Sequence, residues 1–167
     1  MERLEAPDRH CLSAAVGWFE LGNLAEAEAE LGRISPDRQQ HPDVLEVRWV
    51  VYAAQQRWVE GLQVARALIE AAPERVSGWL HQAYALRRIP NGTLQSAWDA
   101  LLPVSQKFPE EPTIPYNLSC YACQMRQLDV ARVWFRRALA IGGKETIKQQ
   151  ALADPDMEPL WEEIRGV

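Results

Sequence analysis

Apolar residues recur at i, i+3 and i+4 spacing in eight successive stretches, each closed by a short polar turn or a proline. This is the pattern of amphipathic helices that bury one stripe. It predicts helices over 8–21, 25–34, 43–55, 59–71, 76–88, 94–107, 113–125 and 129–141. The stretches pair. Small residues Ala27, Gly61, Ala97 and Ala131 stand 34, 36 and 34 apart, and the series Ala15, Trp49, Ala83, Ser119 runs at 34, 34 and 36. A fixed period of this length marks a repeat architecture. Within each pair lies a polar turn: Gly22-Asn23, Gln56-Arg57, Asn91-Gly92 and Arg126-Gln127. The third pair carries two extra residues between its anchors, at Pro90-Asn91-Gly92. Pro36, Pro73, Pro109 and Gly142-Gly143 follow the second stretch of each pair, where helix stops belong. No segment sustains the period-2 alternation of a strand.

These features make the chain resemble the tetratricopeptide repeats (TPR) over about residues 8–143. Unit three supplies the family's Trp79, Ala83, Ala97 and Pro109, and unit four supplies Ser119, Ala131, Phe135 and Ala138. Unit one supplies Ala15, Trp18, Gly22, Ala27 and Leu31, and unit two Tyr52, Trp58, Gly61 and Pro73. Trp49 departs from the pattern, standing where a small residue is expected, so that helix pair should be locally wider. Pro103 falls inside the second helix of unit three and should kink it. The resemblance implies an all-α, right-handed superhelical array of about four helix-turn-helix repeats with a C-terminal capping helix. As a single domain over 1–167 it would comprise repeats at 8–42, 43–75, 76–112 and 113–143 and a cap at 144–167. A cap covers the apolar face that a repeat array exposes at its end. Lys144–Ala153 is amphipathic, Asp154-Pro155-Asp156 stops it, and Trp161 is placed to plug the cap.

Seven tryptophans against three Phe and four Tyr need an explanation. By the repeat register, Trp18, Trp49, Trp58 and Trp79 should be core. Trp98 and Trp134 lie on second helices, where they either pack partly on a neighbouring helix or stand out as interface anchors.

Composition adds limits. The apolar content of 47% is that of a folded chain, and a net charge of −5 disfavours nucleic-acid binding by the chain as a whole. No window reaches the length of a membrane span. The start, Met1-Glu2-Arg3-Leu4-Glu5, is charged and does not read as a signal peptide, and three cysteines are too few for a disulfide scaffold. A cytoplasmic location is expected. The charge is uneven: residues 1–42 carry eight acids and four bases, whereas 113–143 carry Asp129 against four arginines.

Candidate chemistry is sparse. His10, His41 and His81 fall in different repeats, and no Ser or Cys stands beside a His in a nucleophile context. Carboxylate pairs such as Glu26/Glu30 read as solvated faces, and no Gly-rich phosphate loop occurs. Cys120-Tyr121-Ala122-Cys123 lacks a second ligand pair for zinc and the βαβ setting of a thioredoxin motif. No enzyme, cofactor or metal is expected.

Binding is the remaining class. The family register assigns a concave groove to the first helices, here Phe19, Val50, His81, Tyr84, Arg87, Arg88, Tyr116, Asn117, Cys120 and Gln124. Members that clamp a terminal carboxylate use Lys, Asn and Arg where this chain has Leu12, Val16, Val47 and His81, so that role is disfavoured. Aromatic and apolar groove residues with an arginine rim suit an acidic–hydrophobic protein segment. A second candidate is the convex basic face of the fourth repeat, Arg132, Trp134, Arg136 and Arg137, facing a protein or a membrane surface; a solvated helix face is the plain alternative. Four repeats plus an Asp-Pro-Asp…Pro-Leu-Trp cap also resemble the small kinesin-light-chain-like TPR proteins that accompany bacterial tubulins. That resemblance implies an adaptor on a tubulin-like filament.

Overall fold

The computed structural model describes residues 3–166, so Met1, Glu2 and Val167 lie outside it. Among the described residues the chain is helical throughout, with no strand. It forms two compact units, the first running to Pro90 and the second starting at Asn91.

The first unit holds α1 (Asp8–Glu20), α2 (Leu24–Gly32), α3 (Pro42–Ala54), α4 (Trp58–Ala71) and α5 (Val76–Leu86), with a 3-10 turn at Pro36–Arg38. The turn from α1 to α2 is a Schellman motif. Gly22 takes φ +76°, the Gly22 amide donates to Phe19 O at 2.9 Å and the Asn23 amide to Trp18 O at 2.9 Å. The turn from α3 to α4 repeats it with Gln56 at φ +58°, and Arg57 N donates to Tyr52 O at 2.9 Å. Asn23 then caps α2 through its side chain, accepting from Glu26 N at 3.3 Å.

Buried residues of this unit gather in clusters. Ala15, Ala27, Leu31, Ile34, Val44 and Val51 form one, and Leu45, Trp49, Val64, Ala65 and Leu68 another. The small anchors are closed against neighbouring helices, with Ala15, Ala27 and Ala83 fully buried. Trp49 is buried too, and what faces it is Gly61: a Cβ there would lie 3.7 Å from Trp49 Nε1. A large side chain on α3 is thus met by an absent one on α4. Trp58 and Trp79 are half-buried. Trp18 is not a core residue: it is 36% exposed. The inward stripe of α1 is carried by Cys11, Leu12, Ala15 and Phe19, which leaves the indole at its edge.

The second unit holds α6 (Leu94–Leu101), α7 (Val104–Lys107), α8 (Thr113–Gln124), α9 (Leu128–Gly142), α10 (Lys144–Ala153) and α11 (Trp161–Arg165). Thr93 and Ser96 form a capping box at the start of α6. Pro103 breaks the helix as its missing N–H requires: α6 stops at Leu101, α7 restarts at Val104, and Ser105 Oγ donates to Leu102 O at 2.8 Å. The α8–α9 turn is the Schellman motif again, with Arg126 at φ +62° and Gln127 N donating to Ala122 O at 2.9 Å. The two anchors of this repeat touch directly, Ser119 Oγ donating to Ala131 O at 2.8 Å. Its core joins Tyr116, Cys120, Cys123, Phe135 and Ala138 to Ile147, Met157, Leu160 and Ile164 of the C-terminal segment. Trp98 and Trp134 pack edge-to-face on each other, centroids 6.1 Å apart at 85°, and both are half-buried. Trp161 packs against the same core and donates from Nε1 to Ala151 O at 2.8 Å.

Candidate protein-binding surfaces

In the first unit, α3 and α5 bring together a stack that begins inside the core and ends in solvent. Trp49 lies parallel to His81, with centroids 3.7 Å apart at 8°, and meets Tyr84 edge-on at 5.9 Å. Tyr84 in turn meets Trp58 at 5.7 Å, and the Arg88 guanidinium lies 3.4 Å over the Tyr84 ring and 5.3 Å from that of Trp58. His81 and Tyr84 sit at i and i+3 on one face of α5, and Arg88, in the turn just past the helix, reaches back and donates to Tyr84 O at 3.0 Å.

Glu46 fixes the inner end. Its carboxylate accepts from Ser77 Oγ and lies 3.0 Å from His81 Nε2. Burial raises the Glu46 pKa, but the hydrogen bonds from His81 and Ser77 outweigh it and hold the carboxyl below its usual range. With the carboxylate ionised, the His81 nitrogen that faces it carries the proton. Aromatic faces and a planar cation held in this way lose little freedom when a partner arrives. Cation–π contact of this kind adds about 0.5–1 kcal/mol at exposed sites.

The other residues expected in a groove are placed differently. Phe19 and Val50 are half-buried and pack against those two clusters of the first unit. Arg87 closes α5 as its C-terminal cap. Between α1 and α3 a hollow of about 370 Å³ is lined by Leu12, Val16, Val47, Asp43 and Glu46, with Asp43 paired to Arg75 at 2.7 Å.

In the second unit the face of α8 assigned to the groove is covered by the chain's own C-terminal segment. Tyr116 and Cys120 are buried; Tyr116 OH donates to Asp154 Oδ2 at 2.8 Å, and Cys120 Sγ lies 3.6 Å from the same oxygen. Gln124 is exposed and donates to Asp156 O at 3.0 Å, while Asn117 is half-buried. Burial, reinforced by Asp154, pushes the Cys120 thiol well above its ordinary range, and burial with Asp156 pushes Cys123 up to about 11. Neither is an activated nucleophile. Among the described residues no group of three or more His, Cys, Asp or Glu could hold a metal ion.

The four residues expected on a basic convex face divide between two sides of α9. Arg132 turns toward α11, donating to Glu163 at 2.8 and 2.6 Å and to Asp129 at 2.7 Å. Arg136, one turn on, is exposed and makes no ion pair among the described residues. Trp134 and Arg137 occupy the other side, with Arg137 5.4 Å over the indole and donating to Ser105 O at 3.4 Å. The sequence reading missed the part taken by Trp58, assigned to the core on its register, and by Glu163, which lies 31 residues from its partner. No local signal marks either.

Helix pairs on small anchors, Schellman turns at equivalent positions and an end cap define a TPR-like, all-α helical repeat array. No protein-family model matches the chain, and no curated protein does. Among the solved structures that match is one described as MamA MSR-1 C2, a TPR-containing protein. It is 17% identical, with a TM-score of 0.67 over 85% of this chain and 82% of that one. At that identity the likeness is one of fold. No helix among the described residues is long and apolar enough to cross a membrane.

Proposed function

We propose that this chain is a non-catalytic adaptor that receives a segment of another protein on the α3–α5 face of its first unit. The observation that carries the reading is the stack from Trp49 through His81 to Tyr84, Trp58 and Arg88. Its outer rings take apolar side chains, and Arg88 with Arg87 favours carboxylates beside them, so the segment is acidic and hydrophobic. The positions that could suggest catalysis support this: His81 is committed to Glu46 and Trp49, and the helix-borne thiols of α8 are held protonated.

The partner class in this reading is a tubulin-like bacterial filament. It rests on the resemblance in layout of repeats and cap, and on the acidic segment chemistry that the stack selects. Co-pelleting with polymerised bacterial tubulin tests it. Pelleting of the wild-type chain and its loss in Tyr84→Ala and Arg88→Glu are the expected results. Absence of pelleting at low salt removes the filament, and unchanged pelleting of both variants removes the stack as the site. The membrane reading is weakened by Arg132, neutralised by Glu163 and Asp129, and by Trp134, half-buried on Trp98. Liposome co-sedimentation with anionic lipid is its test.

A further inference from the structure

Two features have no role in that reading, and their chemistry is complementary. The first is a cavity of about 220 Å³ at the seam of α9 and the C-terminal segment, walled by Phe135, Leu139, Leu160 and Ile164 and edged by Arg136. An apolar cavity of about 150 Å³ already admits a benzene-sized group, so the volume here is of the size of an apolar side chain, with Leu139 the least buried of its apolar walls. The Arg132–Glu163 pair closes one edge with its charges matched, and Arg136 stands on the other with its charge unmatched among the described residues.

The second is at the far end of the sequence. Leu21 is 77% exposed, the most exposed large apolar side chain among the described residues, and Trp18, one turn before it, is 36% exposed. They share one face of the end of α1. Glu20 lies between them in sequence and Glu26 opens α2; both are exposed and neither makes an ion pair among the described residues. The region is acidic as a whole; α9 carries Arg132, Arg136 and Arg137 against Asp129, whereas the C-terminal wall of the cavity is acidic, so the attraction for an incoming carboxylate is confined to Arg136 on the α9 edge.

We propose that the cavity beside α9 receives the Trp18–Leu21 end of α1 from a second copy of this chain, in a head-to-tail contact. Leu21 enters between Phe135, Leu139, Leu160 and Ile164, and Glu20 faces Arg136. The contact is heterologous: each copy offers a knob on one unit and a socket on the other, so copies join head to tail. It needs neither the α3–α5 stack nor any other partner. Its apolar part accounts for an aromatic–leucine pair left in solvent, and its charged part sets direction, because a knob meeting a knob places acid against acid.

Sedimentation velocity of the full chain over a concentration series, at low and high salt, reads this directly. Mass should rise with concentration and the rise should shrink with salt. Leu21→Asp and Arg136→Glu should each weaken association by about tenfold or more. Mixed one to one, these two variants should form a dimer and stop there, since only one intact knob and one intact socket can meet. Glu20→Arg combined with Arg136→Glu in one chain should restore association. Leu21 and Arg136 are exposed, so both variants keep the helical circular dichroism of the parent. Tyr84→Ala should associate as the parent does, which separates this contact from the adaptor site. A chain monomeric at every concentration overturns the proposal, as does association that survives Arg136→Glu or a mixture that fails to pair.

Discussion

Gly61 and Gly78 both sit in the first turn or two of a helix, yet replacing each with alanine should shift stability in opposite directions. Alanine in place of glycine favours a helix by about 0.8–1.0 kcal/mol through backbone entropy. At Gly61 the new methyl would lie 3.7 Å from Trp49 Nε1 and 4.0 Å from its Cδ1, ordinary contact distances, so most of that gain survives. Gly61→Ala should therefore stabilise the chain by about 0.5–1 kcal/mol. At Gly78 the methyl meets Ile69 Cγ1 at 3.1 Å, Leu68 Cγ at 3.2 Å and the Ile69 backbone nitrogen at 3.3 Å. The backbone atom cannot turn aside, and overpacking of this kind costs about 1–3 kcal/mol, which exceeds the helix gain. Gly78→Ala should be destabilising. A third variant probes the indole. Trp49 Nε1 is buried with no hydrogen-bond partner among the described residues, and a buried donor left unsatisfied costs about 1–3 kcal/mol. Gly61→Ser places a hydroxyl within reach of it and should match or exceed Gly61→Ala despite serine's lower helix propensity. Urea unfolding followed by circular dichroism and tryptophan fluorescence gives the three values at constant m. Destabilisation by Gly61→Ala with m unchanged would refute the fit of Trp49 over an empty helix face.

Gln56 and Arg126 occupy Schellman positions at positive φ, where Gly22 stands in the first repeat. Gln56→Gly and Arg126→Gly should each stabilise by up to about 1 kcal/mol in urea titrations, because a side chain at left-handed φ is strained by about that amount. Cys120 and Cys123 should resist a thiol reagent in the native chain at pH 8 and react only with unfolding, since burial holds both protonated. Their stability contribution is intact below the ordinary thiol pKa of 9.0 and is lost as pH rises above it, because the unfolded thiols ionise first. Glu46 works in the opposite sense. Its carboxyl titrates below the ordinary 4.5, so its contribution is present above that pH and disappears as pH falls through the lower folded value. Glu46→Gln should flatten the acid limb of a stability-versus-pH curve and lower the neutral plateau, because the amide oxygen can still accept from His81 but without the charge assistance.

The helices, their pairing and the break at Pro103 were legible because each is set by local periodicity and by residues with fixed backbone consequences. The anchors read from spacing alone, Ala15, Ala27, Ala83, Ala97, Ser119 and Ala131, are all fully buried. What spacing does not carry is contact between distant segments. The Asp154–Leu160 stretch folds back over α8 and removes Tyr116 and Cys120 from any groove; the sequence shows a stop and a cap but not which face the cap covers. Arg132, Trp134, Arg136 and Arg137 cluster in sequence, yet helical geometry sends them to two sides, and Glu163 neutralises one of them. Trp18 fits a packing register whose first-repeat member ends at the edge of the core stripe.

The two-residue insertion at Pro90-Asn91-Gly92 coincides with the point where the chain divides into its two compact units. The third repeat thereby lends α5 to one core and α6 to the other. Pro90 and Asn91 are exposed, and each side of them closes clusters of its own. Such a joint is permissive: a tag, a fluorescent domain or new chain termini placed after Asn91 would interrupt neither core.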